Sequence, residues 1–179
     1  MTDRPITAAI VGAGHRSVAY ARYALQHPER MKVVAVADPN DLRRRAAGEE
    51  HAIPEAMRFR SYEELAERRV ADAVINGTMD PLHYPSAMPL LKAGYHMLLE
   101  KPIAREESEV RELIATARAN GCTVMICHVL RYAPFYAKVK ELLATDAIGE
   151  IISLHSAENV SYHHMAVGFI RGRWRRREA

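Results

Sequence analysis

The chain has 179 residues, of which 49% are apolar and 26% charged, an ordinary composition for a soluble globular protein of one sizeable domain and the start of another. Its net charge of +3 is unevenly placed: Arg171 to Ala179 carry five Arg and one Glu, so the remaining 170 residues sum to −1 and the body is not a nucleic-acid binder by charge. No apolar run approaches the roughly 18 residues that span a membrane, and no apolar core of a signal peptide follows Met1-Thr2-Asp3-Arg4-Pro5.

Strand and helix patterns alternate, which predicts a parallel sheet with helices on both faces. Ile6 to Val11 is the first strand, followed by a helix with Val18, Ala21 and Leu25 on one face. Lys32 to Ala37 is the second strand, and a charged helix with Arg43, Arg44 and Arg45 begins after Pro39. Phe59 sits in a short third strand. Ser61 then reads as an N-cap, with Glu64 completing a capping box.

Ala73 to Asn76 is the fourth strand. Pro81 opens a helix that stops near Gly94, and Tyr95 to Leu99 is the fifth strand. The next helix has Glu106 and Glu107 in its first turn, where the helix dipole favours them. Its Val110, Leu113, Ile114 and Ala117 form a buried stripe, and it stops at Asn120-Gly121. Thr123 to Cys127 is the sixth strand, and a last helix places Phe135, Val139, Leu142 and Leu143 on one face. After Gly149 the pattern changes, and Glu150 to Val160 reads as one long strand without a partner. The boundaries expected are 1–148 for a complete dinucleotide-binding domain and 149–179 for the unfinished start of a second.

Cys122 and Cys127 are the two cysteines. Five residues apart on one strand, they face opposite sides about 16 Å apart at ~3.3 Å per residue, beyond the reach of a disulfide. A reducing compartment, the cytosol, follows as the expectation.

Two motifs carry the chemistry. Gly12-Ala13-Gly14-His15-Arg16-Ser17 stands between a strand and a helix, with Asp38 about 20 residues on. Gly12 makes the tight turn, and Gly14 lets a pyrophosphate approach the amides at the helix start. Ser17 takes the third small position. Asp38 can accept both ribose hydroxyls of NAD and would repel the 2′-phosphate of NADP. Arg43 to Arg45 read as a solvated helix face rather than a phosphate site. The second motif, Glu100-Lys101-Pro102, follows the fifth strand, at the sheet edge where ligands bind. A lysine there, tuned toward neutrality by burial, can act as acid or base at a carbinol. Thr78 could hydrogen-bond the cofactor, whereas His83 reads as packed or solvated. Arg131 could hold a ligand or only pair with a carboxylate. His163 and His164 are adjacent, with no carboxylate or thiolate at ligand spacing, so no metal site is expected.

With these residues the sequence resembles the glucose-fructose oxidoreductase / inositol dehydrogenase family (Gfo/Idh/MocA). The stretches "AIVGAGHRS", "VVAVADPN", "LLEKPIA" and "HVLRYAPFYAKVKELL" carry the likeness, and the Glu-Lys-Pro triplet is its most specific mark. The resemblance implies a Rossmann doubly wound α/β domain, here with only the start of the family's C-terminal α+β domain. It implies Lys101 as the catalytic residue at nicotinamide and substrate. It maps the Gly-rich turn to Gly12, Gly14 and Arg16, the ribose-binding acid to Asp38 and the nicotinamide-side lysine to Lys101; His15, Thr78, Glu100 and Arg131 complete the cofactor-binding residues expected. The implied cofactor is NAD rather than NADP, and the implied substrate is a small carbohydrate-like molecule. No nucleic-acid or membrane partner is implied, and the family's second domain often forms a homo-oligomer interface. That domain normally carries an Asp and a His, so the chain reads as truncated or as a fragment. Alternatives are a non-catalytic dinucleotide-binding module and an NAD-using glycosidase relative.

Overall fold

The computed structural model describes residues 4–175; Met1 to Asp3 and Arg176 to Ala179, the end of the basic tail, lie outside it. Two compact units divide at Cys127/His128.

In the first unit, six strands pair in parallel in the order β3-β2-β1-β4-β5-β6: β1 Ile6–Val11, β2 Met31–Ala37, β3 Arg58–Phe59, β4 Ala73–Asn76, β5 His96–Leu99 and β6 Val124–Ile126. The connections carry helices α1 His15–Ala21, α2 Tyr23–Gln26, α3 Asp41–Glu50, α4 Tyr62–Ala66, α5 His83–Lys92 and α6 Glu107–Ala119. β1 lies between β2 and β4, so the winding reverses beside it, and a doubly wound sheet receives its ligand at that switch point.

Buried strands with two covered faces need apolar residues at every position. In β1 the alternation is clear: Ala9 and Val11 pack with Leu90, Leu99 and Leu113 on one face, and Ala8 and Ile10 with Ala21, Val36 and Ile53 on the other. Alanines at 8, 9, 35 and 37 let the covering helices approach closely.

The helix ends follow local chemistry. α5 closes with Gly94 at φ +85, the Gly94 amide donating to Leu91 and the Tyr95 amide to Leu90. This is a Schellman close, and it explains why β5 starts at His96 rather than at the expected Tyr95. α6 is entered through a full capping box, with Glu106 as N-cap and Glu109 as its partner. The box expected at Ser61 is half formed. Ser61 accepts the Glu64 amide, but the Glu64 carboxylate accepts from the Arg60 amide.

The second unit holds α7 Pro134–Ala144, with Pro134 in its first turn, and α8 Tyr162–Met165. Phe135, Val139, Leu142 and Leu143 on α7 are exposed. The strand expected over Glu150 to Val160 does not form: residues 151–160 have no regular structure and lie exposed. No strand among the described residues pairs with the segment, and alternation without a partner leaves the backbone groups to solvent.

Candidate functional site

The strand register builds the site. Val11 pairs with Ala37 and Asn76, Asn76 with Leu99, and Leu99 with Ile126. Asp38, Gly12, Gly77, Glu100 and Cys127 therefore form one row just past the strand ends. Each continues the ladder by one bond: Asp38 N–H to Phe59 O (3.2 Å), Gly12 N–H to Ala37 O (2.8 Å), Gly77 N–H to Val11 O (3.0 Å), Glu100 N–H to Asn76 O (2.9 Å) and Cys127 N–H to Leu99 O (2.9 Å).

Gly12 has φ +76, and a Cβ there would lie 3.1 Å from Gly77 O and from Thr78 Cα and N. The turn thus needs glycine both for its conformation and for its contact with the neighbouring loop. Gly14 is the N-cap of α1, and a Cβ at Gly14 would meet nothing within 4 Å, so the space before the helix is open. His15 and Arg16 are exposed beside it, and Ser17 is fully buried.

Asp38 anchors this turn. Its carboxylate accepts from the Ala13 amide (2.7 Å) and from the Asn40 amide (2.8 Å), and the residue is buried. The arginines beyond it divide. Arg44 donates to Asp38 O (2.6 Å) and pairs with Asp41, whereas Arg43 and Arg45 are exposed.

The loop after β4 is tied by side chains. The Thr78 hydroxyl donates to Asn76 Oδ1 (3.0 Å), and Asn76 Nδ2 donates to Ser86 Oγ (2.8 Å). His83 is buried, with one ring nitrogen 3.1 Å from Thr78 O and the other 2.5 Å from Pro102 O. It joins this loop to the Glu-Lys-Pro turn, where the Lys101-Pro102 peptide is cis. Asp80 lies nearby, and burial raises its carboxyl above the usual range against the pull of His83 and Lys101.

Glu100 is buried and accepts from the Tyr20 hydroxyl (2.6 Å) and the Lys101 amide (3.0 Å). Burial, and then the charge of Glu100, push the Cys127 thiol up to about 11. Lys101 itself is exposed, so the burial invoked to tune it is not present in this chain. Gly12, Gly14, His15, Arg16, Asp38, Thr78, Glu100 and Lys101 all follow the carboxyl ends of the first unit's strands. Arg131 is exposed in the short turn Val129–Tyr132 of the second unit. Among the described residues no group of three His, Cys, Asp or Glu could hold a metal ion, and no helix is long and apolar enough to cross a membrane.

Tyr20 was not singled out in the sequence, and Cys127 was read there only for disulfide pairing. A signal existed for each. Tyr20 stands three residues after Ser17 on one helix face, and Cys127 closes the sixth strand read from the sequence, at the ligand-receiving edge.

Residues 6–128 match the family described as "Oxidoreductase family, NAD-binding Rossmann fold" (Gfo/Idh/MocA), over nearly the span of the first unit. The chain belongs to that family. Among curated relatives, the trans-1,2-dihydrobenzene-1,2-diol dehydrogenase of Xenopus tropicalis is 35% identical over 120 residues, 67% of this chain and 36% of the relative. The enzyme of the same name from Oryctolagus cuniculus is 39% identical over 121 residues. This Gfo/Idh/MocA chain thus spans little more than a third of the length of the curated relatives it matches. Among solved structures, the WlbA dehydrogenase of Bordetella pertussis, in complex with NADH and UDP-GlcNAcA, superposes with TM-score 0.77 at 25% identity, over 84% of this chain and 43% of that one. KijD10, a 3-ketoreductase from Actinomadura kijaniata in complex with NADP, gives 0.72 at 28% identity, over 83% and 46%. The scyllo-inositol dehydrogenase of Lactobacillus casei, at 21% identity and TM-score 0.76, shares the fold.

Proposed function

We propose that this chain is the dinucleotide-binding part of an oxidoreductase that transfers hydride between NAD and a hydroxyl- or carbonyl-bearing carbon of a sugar, cyclitol or related polyol. One observation supports the reading above others: the register sets the glycine turn, Asp38 and the Glu-Lys-Pro turn in one row along the ligand-receiving edge of the sheet.

The open space before Gly14 fits a pyrophosphate, with His15 and Arg16 beside it. Asp38 is fixed by two backbone amides and keeps lone pairs for the ribose hydroxyls. Thr78 keeps acceptor capacity beside the turn. When bound, NAD supplies the hydride acceptor. In its neutral form Lys101 would take the proton of the substrate hydroxyl, and as the ammonium it would return it in the reverse direction. The proposal includes cytosolic residence, with both cysteines free thiols, and assigns residues 149–179 to a second, substrate-side domain. The change of pattern at Gly149, where φ is +69, supports that boundary.

The test is a fluorescence titration with NADH and NADPH. Wild type should bind NADH more tightly. Asp38→Asn should narrow the preference, since a hydrogen bond to a charged acceptor contributes about 1.5–3 kcal/mol. Equal affinity of the wild type for the two cofactors would overturn the ribose assignment, and no binding of either would overturn the proposal. Lys101→Ala should keep NADH affinity within about tenfold, or 1.4 kcal/mol, while abolishing polyol turnover in any form of the protein that shows it.

A further inference from the structure

Glu100 is a buried carboxylate, and no ion pair to it forms among the described residues. Its partners are the Tyr20 hydroxyl, 2.6 Å from Oε1, and the Lys101 amide, 3.0 Å from Oε2. The phenol is thus the side chain that holds one oxygen while the other holds the backbone of Lys101. A buried carboxylate deprived of a donor turns toward whatever donor or water it can reach.

Tyr20 belongs to α1, the helix that starts at the glycine turn and packs over β1 and β4. Glu100 follows β5, the next strand across. The hydrogen bond therefore spans from the dinucleotide turn's own helix to the turn that carries the lysine. Burial, and then the bond to Glu100, push the Tyr20 phenol up, so it remains a donor at neutral pH.

We propose that Tyr20 is a positioning residue that acts through Glu100 to fix the backbone of Lys101 and couple it to the helix of the glycine turn. The inference rests on Lys101 being the proton-transferring group, but its test does not. The matched control is Tyr84, whose hydroxyl donates to Glu112 at the same 2.6 Å between α5 and α6. Tyr20→Phe and Tyr84→Phe each remove one phenol-to-carboxylate bond and keep the ring.

Amide hydrogen exchange and chemical shifts are followed by NMR on the 15N-labelled chain. In Tyr20→Phe the Lys101 amide should exchange at least about tenfold faster, a fold-change of about 1.4 kcal/mol, and its resonance should move. In Tyr84→Phe it should do neither. The Ile10 and Ile75 amides, deep in the sheet, should keep their protection in both variants. Glu100→Gln, whose side chain has one oxygen for two donors, should also expose the Lys101 amide. Wild-type exchange at Lys101 in Tyr20→Phe overturns the inference, as does parallel loss of protection at Ile10 and Ile75, which marks general loosening. Should Tyr20→Phe not fold, wild-type exchange at Lys101 in Glu100→Gln overturns it. A chain that fails to bind NADH refutes the proposed function, while the Lys101 amide still decides the role of Tyr20.

Discussion

Ser17 occupies the third small position of the glycine turn, fully buried, with a hydroxyl that has no hydrogen-bond partner. A Cβ on Gly77 would come within 2.3 Å of that oxygen, and the next nearest atoms stand at 3.5 Å. Gly77→Ala should therefore cost about 1–3 kcal/mol, as overpacking does. Ser17→Ala should be neutral or slightly stabilising, since it removes a buried unsatisfied group. In the double variant most of the cost should vanish, a coupling of about 1–2 kcal/mol. Urea denaturation of the four proteins measures it, and additive effects would refute the contact. The sequence carried Gly12, Gly14, Asp38 and the Glu-Lys-Pro triplet because a motif's spacing encodes their chemistry locally. Gly77, Tyr20 and Cys127 were not marked as site residues there because their roles arise where β1, β4, β5 and β6 lie side by side, and one strand's sequence does not name its neighbours.

Helix ends divide in the same way. Gly94 and Asn120-Gly121 announce their stops, because the left-handed residue of a Schellman close is normally glycine. α3 ends with the same pair of bonds, Ala52 N–H to Glu49 O and Ile53 N–H to Gly48 O, but with an alanine at φ +51. No composition signal marks that end. Ala52→Gly should stabilise the chain by about 0.5–1 kcal/mol, because a side chain in that conformation costs roughly 1–2 kcal/mol and glycine's extra unfolded freedom offsets part of the gain. A fall in the thermal midpoint would refute it. The strand expected over 150–160 failed for a different reason. Alternation tells which faces a strand would have, not whether a second strand is there to pair with it. At the other end of the chain, Arg4 and Thr7 clasp Asp72, the residue before β4. This ties the edge of β1 to its neighbour through a carboxylate the sequence did not mark.

Across the first unit, His51 and Asp72 both contribute to the response to acid. Burial lowers the pKa of His51 below the ordinary 6.5, and its Nε2 has no partner. The Arg4 side chain holds the Asp72 carboxyl well below the usual 3.8. The unfolded chain binds a proton at His51 more readily than the folded one, so this part of the stability is full above pH 6.5 and falls as the pH drops below it. The Asp72 contribution is present above pH 3.8 and is lost as the pH falls through the depressed folded value. Urea midpoints measured from pH 8 to pH 5 should fall for wild type and fall less for His51→Gln. Identical curves would remove His51 from the account.

The strand order also dictates when the fold can close. β1 is one of the two central strands of its sheet, and its second neighbour begins at Ala73, more than sixty residues further along the chain. At ribosomal speeds of about 5–20 residues per second, the interval between making Val11 and making Asn76 is about 3–13 s. For those seconds one edge of the nascent β1, all alanine and aliphatic side chains in its inner part, has no partner. The row of residues that would cradle a nucleotide does not exist until the Glu-Lys-Pro turn has followed β4 into the sheet.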